Sequence, residues 1–324
     1  MDTTMKALTF SQFGDASVLE YKAVPIPVLN EGEVLVEMKA IGLNYADIYR
    51  RKGNYHLKGT PPYIAGYEGA GIVSVSNTSA YKVGDRVAFA DVPFANAAYV
   101  AVPEAHLIPL PEAIDFATAA AVLLQGLTAH YLSEDSHDVQ KGEIVLIHAA
   151  SGGVGQLLIQ MCKNKGAIVI GLSRDKTKFG TILHNGADYA VALQGDWKAE
   201  IMKITNGKGV AVAYDSVGST LMDSFEVTRD CGHVVFYGMS GGDPQPVDPR
   251  MLMDTSKTLT GGDLWSYLTT QDERINRASQ LFDWIRTGQL LLTPPVTFAL
   301  SEGQKAHEYL ESGKSSSKIL LLPD

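Results

Sequence analysis

The stretch His148-Ala149-Ala150-Ser151-Gly152-Gly153-Val154-Gly155 has the residue types and spacing to hold a phosphate group. An apolar run, Glu143-Ile144-Val145-Leu146-Ile147-His148, precedes it, and a helical pattern over 154–165 follows. In that setting Gly152 permits a tight turn, Gly153 leaves room for backbone to approach a pyrophosphate, and Gly155 lets the helix lie close to the strand. The N–H groups and dipole at the helix start would then attract the anion. Ala150 stands where the dinucleotide fingerprint usually has its first glycine, so the motif taken alone also fits a plain tight turn.

The residues after the next strand choose between nicotinamide cofactors. An acid there would hydrogen-bond the ribose hydroxyls of NAD and repel a 2′-phosphate. Here Leu172 is followed by Ser173 and Arg174, with Lys176 and Lys178 beyond. A hydroxyl and several cations suit NADPH. Asp175 has about the offset of an NAD-type acid, but it lies two residues past the strand, where capping the next helix is its ordinary task. Lys176 and Lys178 also fit a solvated helix face.

The elements that must carry these residues follow a clear change of texture. With 324 residues, 45% hydrophobic and 19% charged, the chain suits two globular domains. Up to about residue 120 it reads as short, alternating strands broken by turn residues, at 34–40, 69–75 and 85–90. Asp115 can cap an Ala-rich helix reaching about Leu132. Apolar strands at 143–148, 167–172, 210–215 and 233–238 then interleave with helices at 154–165, after Asp175, and at 220–229, predicting a doubly wound parallel sheet. A helix at 273–287 and strands at 296–298 and 318–322 are too few for a third core and are expected to rejoin the first domain. The expected division is a β-rich domain of 1–123 and 268–324, with a nucleotide-binding domain of 124–267 inserted.

Composition narrows the setting. A net charge of −9 disfavours nucleic acid as a main partner. No run approaches the ~20 apolar residues of a membrane span. The opening Met1-Asp2-Thr3-Thr4-Met5-Lys6 has no export-type apolar region, so the cytoplasm is the expected location. Cys162 and Cys231 are both expected to be buried thiols, and two cysteines cannot form a four-thiolate zinc site.

Taken together, Asn44-Tyr45-Ala46-Asp47-Ile48-Tyr49-Arg50-Arg51-Lys52-Gly53-Asn54-Tyr55, Gly66-Tyr67-Glu68-Gly69-Ala70-Gly71, Gln125-Gly126-Leu127-Thr128-Ala129, the glycine turn, Tyr214-Asp215-Ser216-Val217-Gly218 and the terminal Gly313-Lys314-Ser315-Ser316-Ser317-Lys318 resemble a known family. It is that of the zinc-independent, zeta-crystallin-like quinone oxidoreductases of the medium-chain dehydrogenase/reductase superfamily. The resemblance runs in order over essentially the whole chain. It implies a GroES-like catalytic domain with an inserted Rossmann domain, NADPH as cofactor, and commonly a homodimer.

By that resemblance, Asn44, Tyr49 and Tyr55 line the nicotinamide and substrate cleft. Thr128 and Ser151, Gly152, Gly153 and Val154 contact the cofactor. Ser173, Arg174 and Lys178 serve the 2′-phosphate. Val217, Gly238, Met239, Ser240, Leu264 and Trp265 lie along the nicotinamide half, and Lys318 is a further cofactor contact. Leu193 departs from a frequent Tyr near the adenine, and Ser317 from a usual Gly. Asn44, Tyr45 and Tyr67 stand where zinc-dependent relatives have Cys and His ligands, so no metal is expected.

Without a Lewis acid the substrate must itself be electron-poor, as quinones and α,β-unsaturated carbonyls are. Asn44, Tyr49 and Tyr55 would orient the ring and hydrogen-bond the developing oxyanion, although both tyrosines also fit simple packing. A tyrosine, with a reference pKa of about 10, is a donor at neutral pH. Glu68 and Asp47 read as structural, because no adjacent His or Lys suggests a relay, and the final proton would come from water. Three functions follow: an NADPH-dependent quinone reductase, an alkenal or enone reductase, or a nucleotide-sensing or crystallin-type binding protein. Some relatives bind RNA, which the acidic balance here opposes.

Overall fold

The computed structural model describes residues 3–324; Met1 and Asp2, the start of the N-terminal reading above, lie outside the described residues. The chain divides into two compact units, one of Met1–Leu124, Leu268–Arg286 and Leu292–Asp324, the other of Gln125–Tyr267 and Thr287–Leu291.

In the first unit the strands β1 (Thr4–Phe10), β2 (Glu20–Pro25) and β3 (Glu33–Leu43) lead into a short helix α1 (Tyr45–Lys52). Then come β4 (Tyr63–Ile64), β5 (Gly69–Ser76), β6 (Arg86–Phe89), β7 (Tyr99–Pro103) and β8 (Ile108–Pro109). The alternation read in the sequence holds only from Val36 on, since Leu35 is buried as well; Val34, Val36 and Met38 of β3 are buried. They join Phe10, Val73, Phe89, Val102 and Leu107 in one core. The helix α2 (Phe116–Tyr131) begins where expected, with Asp115 Oδ1 accepting from the Thr118 amide at 2.6 Å.

The second unit holds β9 (Ile144–Ile147), α3 (Gly153–Asn164), β10 (Ile168–Ser173), α4 (Phe179–His184), β11 (Tyr189–Ala192), α5 (Trp197–Ile204), β12 (Val210–Asp215), α6 (Leu221–Val227), β13 (Thr228–Phe236), α7 (Pro249–Thr255) and β14 (Thr258–Gly261). Among the described residues its sheet has the order β11-β10-β9-β12-β13-β14, every pairing parallel. Every residue of β12 is buried, as continuous apolar strands covered on both faces must be.

The C-terminal part adds α8 (Gln271–Arg286), β15 (Val296–Ala299), α9 (Gly303–Glu311) and β16 (Ile319–Leu322). β15 and β16 extend the sheet of the first unit through β3, in the order β15-β16-β3-β5-β6-β8, with β7 also on β3.

One expectation about the cysteines is corrected. Cys162 is buried, and burial pushes its thiol up to about 12. Cys231 is exposed. It sits in a left-handed backbone conformation (φ 58°) beside Arg229 and Asp230, where the pairing of β13 with β12 is interrupted. A local composition of small residues gave no sign of that bulge.

Candidate active site

Asn44 is placed by the end of β3 and the start of α1. Its extended backbone (φ −131°, ψ 157°) makes it the N-cap, and its amide donates to Asp47 Oδ2 at 2.9 Å. The side chain is only 4% exposed, because a buried ion pair takes hold of it. Asn44 Nδ2 donates to Glu68 Oε2 at 2.8 Å, and Asn44 Oδ1 accepts from Lys318 Nζ at 2.7 Å. Lys318 Nζ also donates to Glu68 Oε2 at 2.6 Å, and Glu68 Oε1 accepts from the Leu124 amide. Glu68 therefore has a lysine beside it, contrary to the expectation from sequence, where 250 residues separate the pair. The ion pair fixes which end of the Asn44 amide is the oxygen.

The helix α1 itself continues the cluster. Asp47 is buried, which raises its carboxyl above the usual range while Arg50 opposes the shift. Arg50 Nη1 donates to Asp47 Oδ1 at 3.1 Å. The guanidinium lies 3.6 Å from the centre of the Tyr67 ring and 5.1 Å from that of Tyr55. Tyr49 meets Tyr55 edge-on at 6.2 Å. Asn44, Tyr49 and Tyr55 are thus brought into one neighbourhood, with both tyrosines half-buried. The four buried charges of Lys318, Glu68, Asp47 and Arg50 balance.

In the second unit the glycine turn opens α3. Gly152 is the N-cap and has no side chain to cap the helix, and the Gln125 side-chain amide lies against Gly153 in the first turn. A Cβ on Gly155 would lie 2.7 Å from the Ala149 carbonyl oxygen and 2.8 Å from Ala150 Cα, so glycine is required there. Ser151 and Thr128 are buried, and Gly153 and Val154 half-buried.

After β10, the hydroxyl of Ser173 is taken up within its own turn, donating to Asp175 O at 3.2 Å. Asp175 caps the next turn, accepting from the Thr177 amide at 2.9 Å, as the capping reading expects. Arg174 is exposed and Lys178 half-buried. Burial holds the Lys178 ammonium below its usual range, Arg174 adds to the shift, and Asp175 opposes it.

The remaining candidates follow the ends of other strands. Val217, after β12, accepts at its carbonyl from the Gly241 amide, and Ser216 O accepts from the Ser240 amide, so the 216–218 and 238–241 turns are joined. Gly238 and Met239 are half-buried and Ser240 exposed. Leu264 is buried and Trp265 half-buried, on a turn capped by Asp263. Leu193 packs on the sheet core. Apart from Thr128, on α2, the candidates of this unit thus cluster at the carboxyl ends of parallel strands, where open α/β sheets bind ligands.

Sequence reasoning missed Arg50, the Glu68–Lys318 pair and a buried set around Asp215 and His148. A signal did exist for the last: a carboxylate ending an otherwise apolar strand must find partners. Among the described residues no three or more His, Cys, Asp or Glu side chains are grouped to hold a metal.

Residues 30–112 match the family model of the alcohol dehydrogenase GroES-like domain, and residues 153–284 that of the zinc-binding dehydrogenases. The chain is 35% identical to a quinone oxidoreductase of Pseudomonas aeruginosa, over 98% of its own length and 99% of the relative's. A 2-haloacrylate reductase from a Burkholderia species is 33% identical, over 90% of this chain and 91% of its own. The crystal structure of Escherichia coli quinone oxidoreductase complexed with NADPH superposes with a TM-score of 0.94 at 34% identity, covering 98% of this chain and all of that one.

Proposed function

Since the chain belongs to the quinone oxidoreductase family of the medium-chain dehydrogenases and reductases, we propose that it is an enzyme that reduces quinones with NADPH by hydride transfer. The observation that carries this reading is likeness over nearly the full chain to quinone oxidoreductases, one of them in complex with NADPH.

The residues present fit the cofactor. Ser151, Gly152, Gly153 and Val154 would hold the pyrophosphate at the start of α3. Arg174 and Lys178, beside the Ser173 turn, supply the positive charge for a 2′-phosphate. Thr128, Val217, Gly238, Met239, Ser240, Leu264 and Trp265 serve the nicotinamide half. When bound, NADPH supplies the hydride. Asn44, held by Lys318 and Glu68, presents a fixed amide, and Lys318 serves the cofactor through it. Tyr49 and Tyr55 donate hydrogen bonds to the oxygen that gains charge.

Asn44, Tyr45 and Tyr67 bear neither thiolate nor imidazole, so they suit a reaction in which the electron deficiency of the quinone replaces metal activation. The catalytic domain is taken as 1–123 with 268–324, and the nucleotide-binding domain as 124–267. We place the enzyme in the cytoplasm, as a homodimer. The exposed thiol of Cys231 suits a reducing compartment. No helix among the described residues is long and apolar enough to cross a membrane.

A second reading, reduction of an activated C=C bond as in enals and enones, draws on the 2-haloacrylate reductase relative. One assay separates the two: NADPH and NADH oxidation followed against short-chain quinones, enals and enones. The expected result is NADPH-dependent turnover of the quinones. Faster turnover of the enones supports the second reading, and NADH-only turnover defeats the cofactor assignment. Tight NADPH binding with no turnover across the panel points to a binding protein.

A further inference from the structure

Asp215 ends β12, the strand at which the order of the second sheet reverses. β10 and β11 extend the sheet beyond β9, while β13 and β14 extend it beyond β12. The turns leaving β9 and β12 therefore flank the topological switch point, where a doubly wound sheet takes its ligand.

Asp215 is fully buried, and both of its oxygens are occupied. Oδ1 accepts from the amides of Val217 (2.8 Å) and Gly218 (3.0 Å), in the turn after β12. Oδ2 accepts from the hydroxyls of Thr220 (2.7 Å) and Ser224 (2.8 Å). Those hydroxyls also meet the ring of His148, Ser224 Oγ at 2.9 Å from Nε2 and Thr220 Oγ1 at 3.3 Å from Nδ1. His148 is buried at the end of β9 and immediately precedes Ala149, whose left-handed backbone (φ 47°) begins the glycine turn. Its backbone amide donates to Tyr214 O at 3.0 Å, beside Asp215. Burial lowers the pKa of the imidazole, against the opposing pull of Asp215. Both hydroxyl protons go to Asp215, so a neutral ring with its one N–H makes a single hydrogen bond to this pair, and the shorter contact, to Ser224, is the better placed for it.

A buried carboxylate is costly unless every acceptor position is filled. Here the donors come from the β12 turn and from the two hydroxyls that reach the β9 turn. We propose that Asp215, acting through Ser224, Thr220 and His148, is a positioning residue that locks these two turns together and so sets the span a dinucleotide must bridge. The proposal rests on the cofactor reading above, in which the pyrophosphate lies at the first turn and the nicotinamide half at the second.

Coupling between the turns matters only to a ligand that touches both, and the test uses that. NADPH spans them, whereas adenosine 2′,5′-bisphosphate ends at the first. Affinities for both are measured by fluorescence titration and competition in Asp215→Asn and in Ser224→Ala. The second variant removes the Ser224 contact to His148, leaving only the 3.3 Å approach of Thr220, and keeps the Asp215 bonds to Val217, Gly218 and Thr220. NADPH affinity is expected to fall about ten-fold in each variant, the scale of one charge-assisted hydrogen bond. Affinity for the bisphosphate should fall by less than about three-fold, since that ligand does not feel the register of the turns. Equal losses for the two ligands, or no loss for NADPH, would overturn the proposal. Should Asp215→Asn fail to fold, Ser224→Ala decides alone. If Lys178→Ala selectively weakens NADPH while Asp215→Asn and Ser224→Ala do not, the cofactor reading survives and this proposal falls. Failure of the unaltered protein to bind NADPH sinks both.

Discussion

On the loop after β10, two cations stand close enough to disfavour each other: the charge of Arg174 adds to the burial that lowers the Lys178 ammonium. A phosphate dianion would reverse that penalty, which a ribose hydroxyl cannot do. Replacing Lys178 by alanine should therefore raise the KM for NADPH by about ten-fold, the cost of one charge-assisted contact, and that for NADH by less than about two-fold. Steady-state kinetics with each cofactor check this, and equal changes would remove Lys178 from the 2′-phosphate. Arg174 and Lys178 were legible because they lie a few residues past a recognisable strand. The grip of Lys318 and Glu68 on Asn44 was not, since only the pairing of β16 with β3 brings Lys318 alongside. The same holds for Arg50: its charge was visible, but its seat between Tyr55 and Tyr67 depends on how the 53–67 segment folds back.

Elements differ in how much of themselves they show in sequence. β9, β10 and β12 are apolar runs of four to six residues bounded by turn signals, which suits buried parallel strands, and α3 starts at a glycine turn. β11 and β14 are four residues each, too short to show a period, and α1 carries a polar sequence, YADIYRRK, in which three of the four buried residues, Asp47, Arg50 and Arg51, are charged. It is held by the Asn44–Asp47 cap and ended by Gly53 at φ 82°. The βα junction itself makes a sharp forecast. In Gly155→Ala the new methyl would press on the backbone of residues 149 and 150, so α3 must shift away from β9. Stability should fall by about 1–3 kcal/mol, the usual cost of overpacking, with a clear loss of NADPH affinity. In α4, Gly180 is exposed with open space around it, and Gly180→Ala should stabilise by about 0.5–1 kcal/mol through helix propensity. Denaturant midpoints and NADPH titration test both; a Gly155→Ala protein as stable and as avid as the parent would show that the close approach is not needed.

At the scale of the whole molecule, the two ends of the second sheet are unlike. α4 and α5 pack against β11. β14 pairs with β13, and among the described residues no strand lies beyond it, as none lies beyond β11. Close by in sequence is Met253 of α7, 71% exposed. An open sheet edge is a liability that proteins relieve by covering it. A two-fold axis at such an edge sets the strand antiparallel to its own copy, and the same patch then serves both chains. The proposed homodimer is therefore placed along β14, and light scattering should give twice the 34.9 kDa chain mass. Successive amides in a strand point to opposite edges, so one of Leu259 and Thr260 directs its N–H away from β13. Proline at that position removes an inter-chain hydrogen bond without touching the β13 ladder. Of Leu259→Pro and Thr260→Pro, that variant should be a folded monomer and the other should lose stability. A parent protein of single-chain mass, or dimers persisting in both variants, would move the interface away from β14.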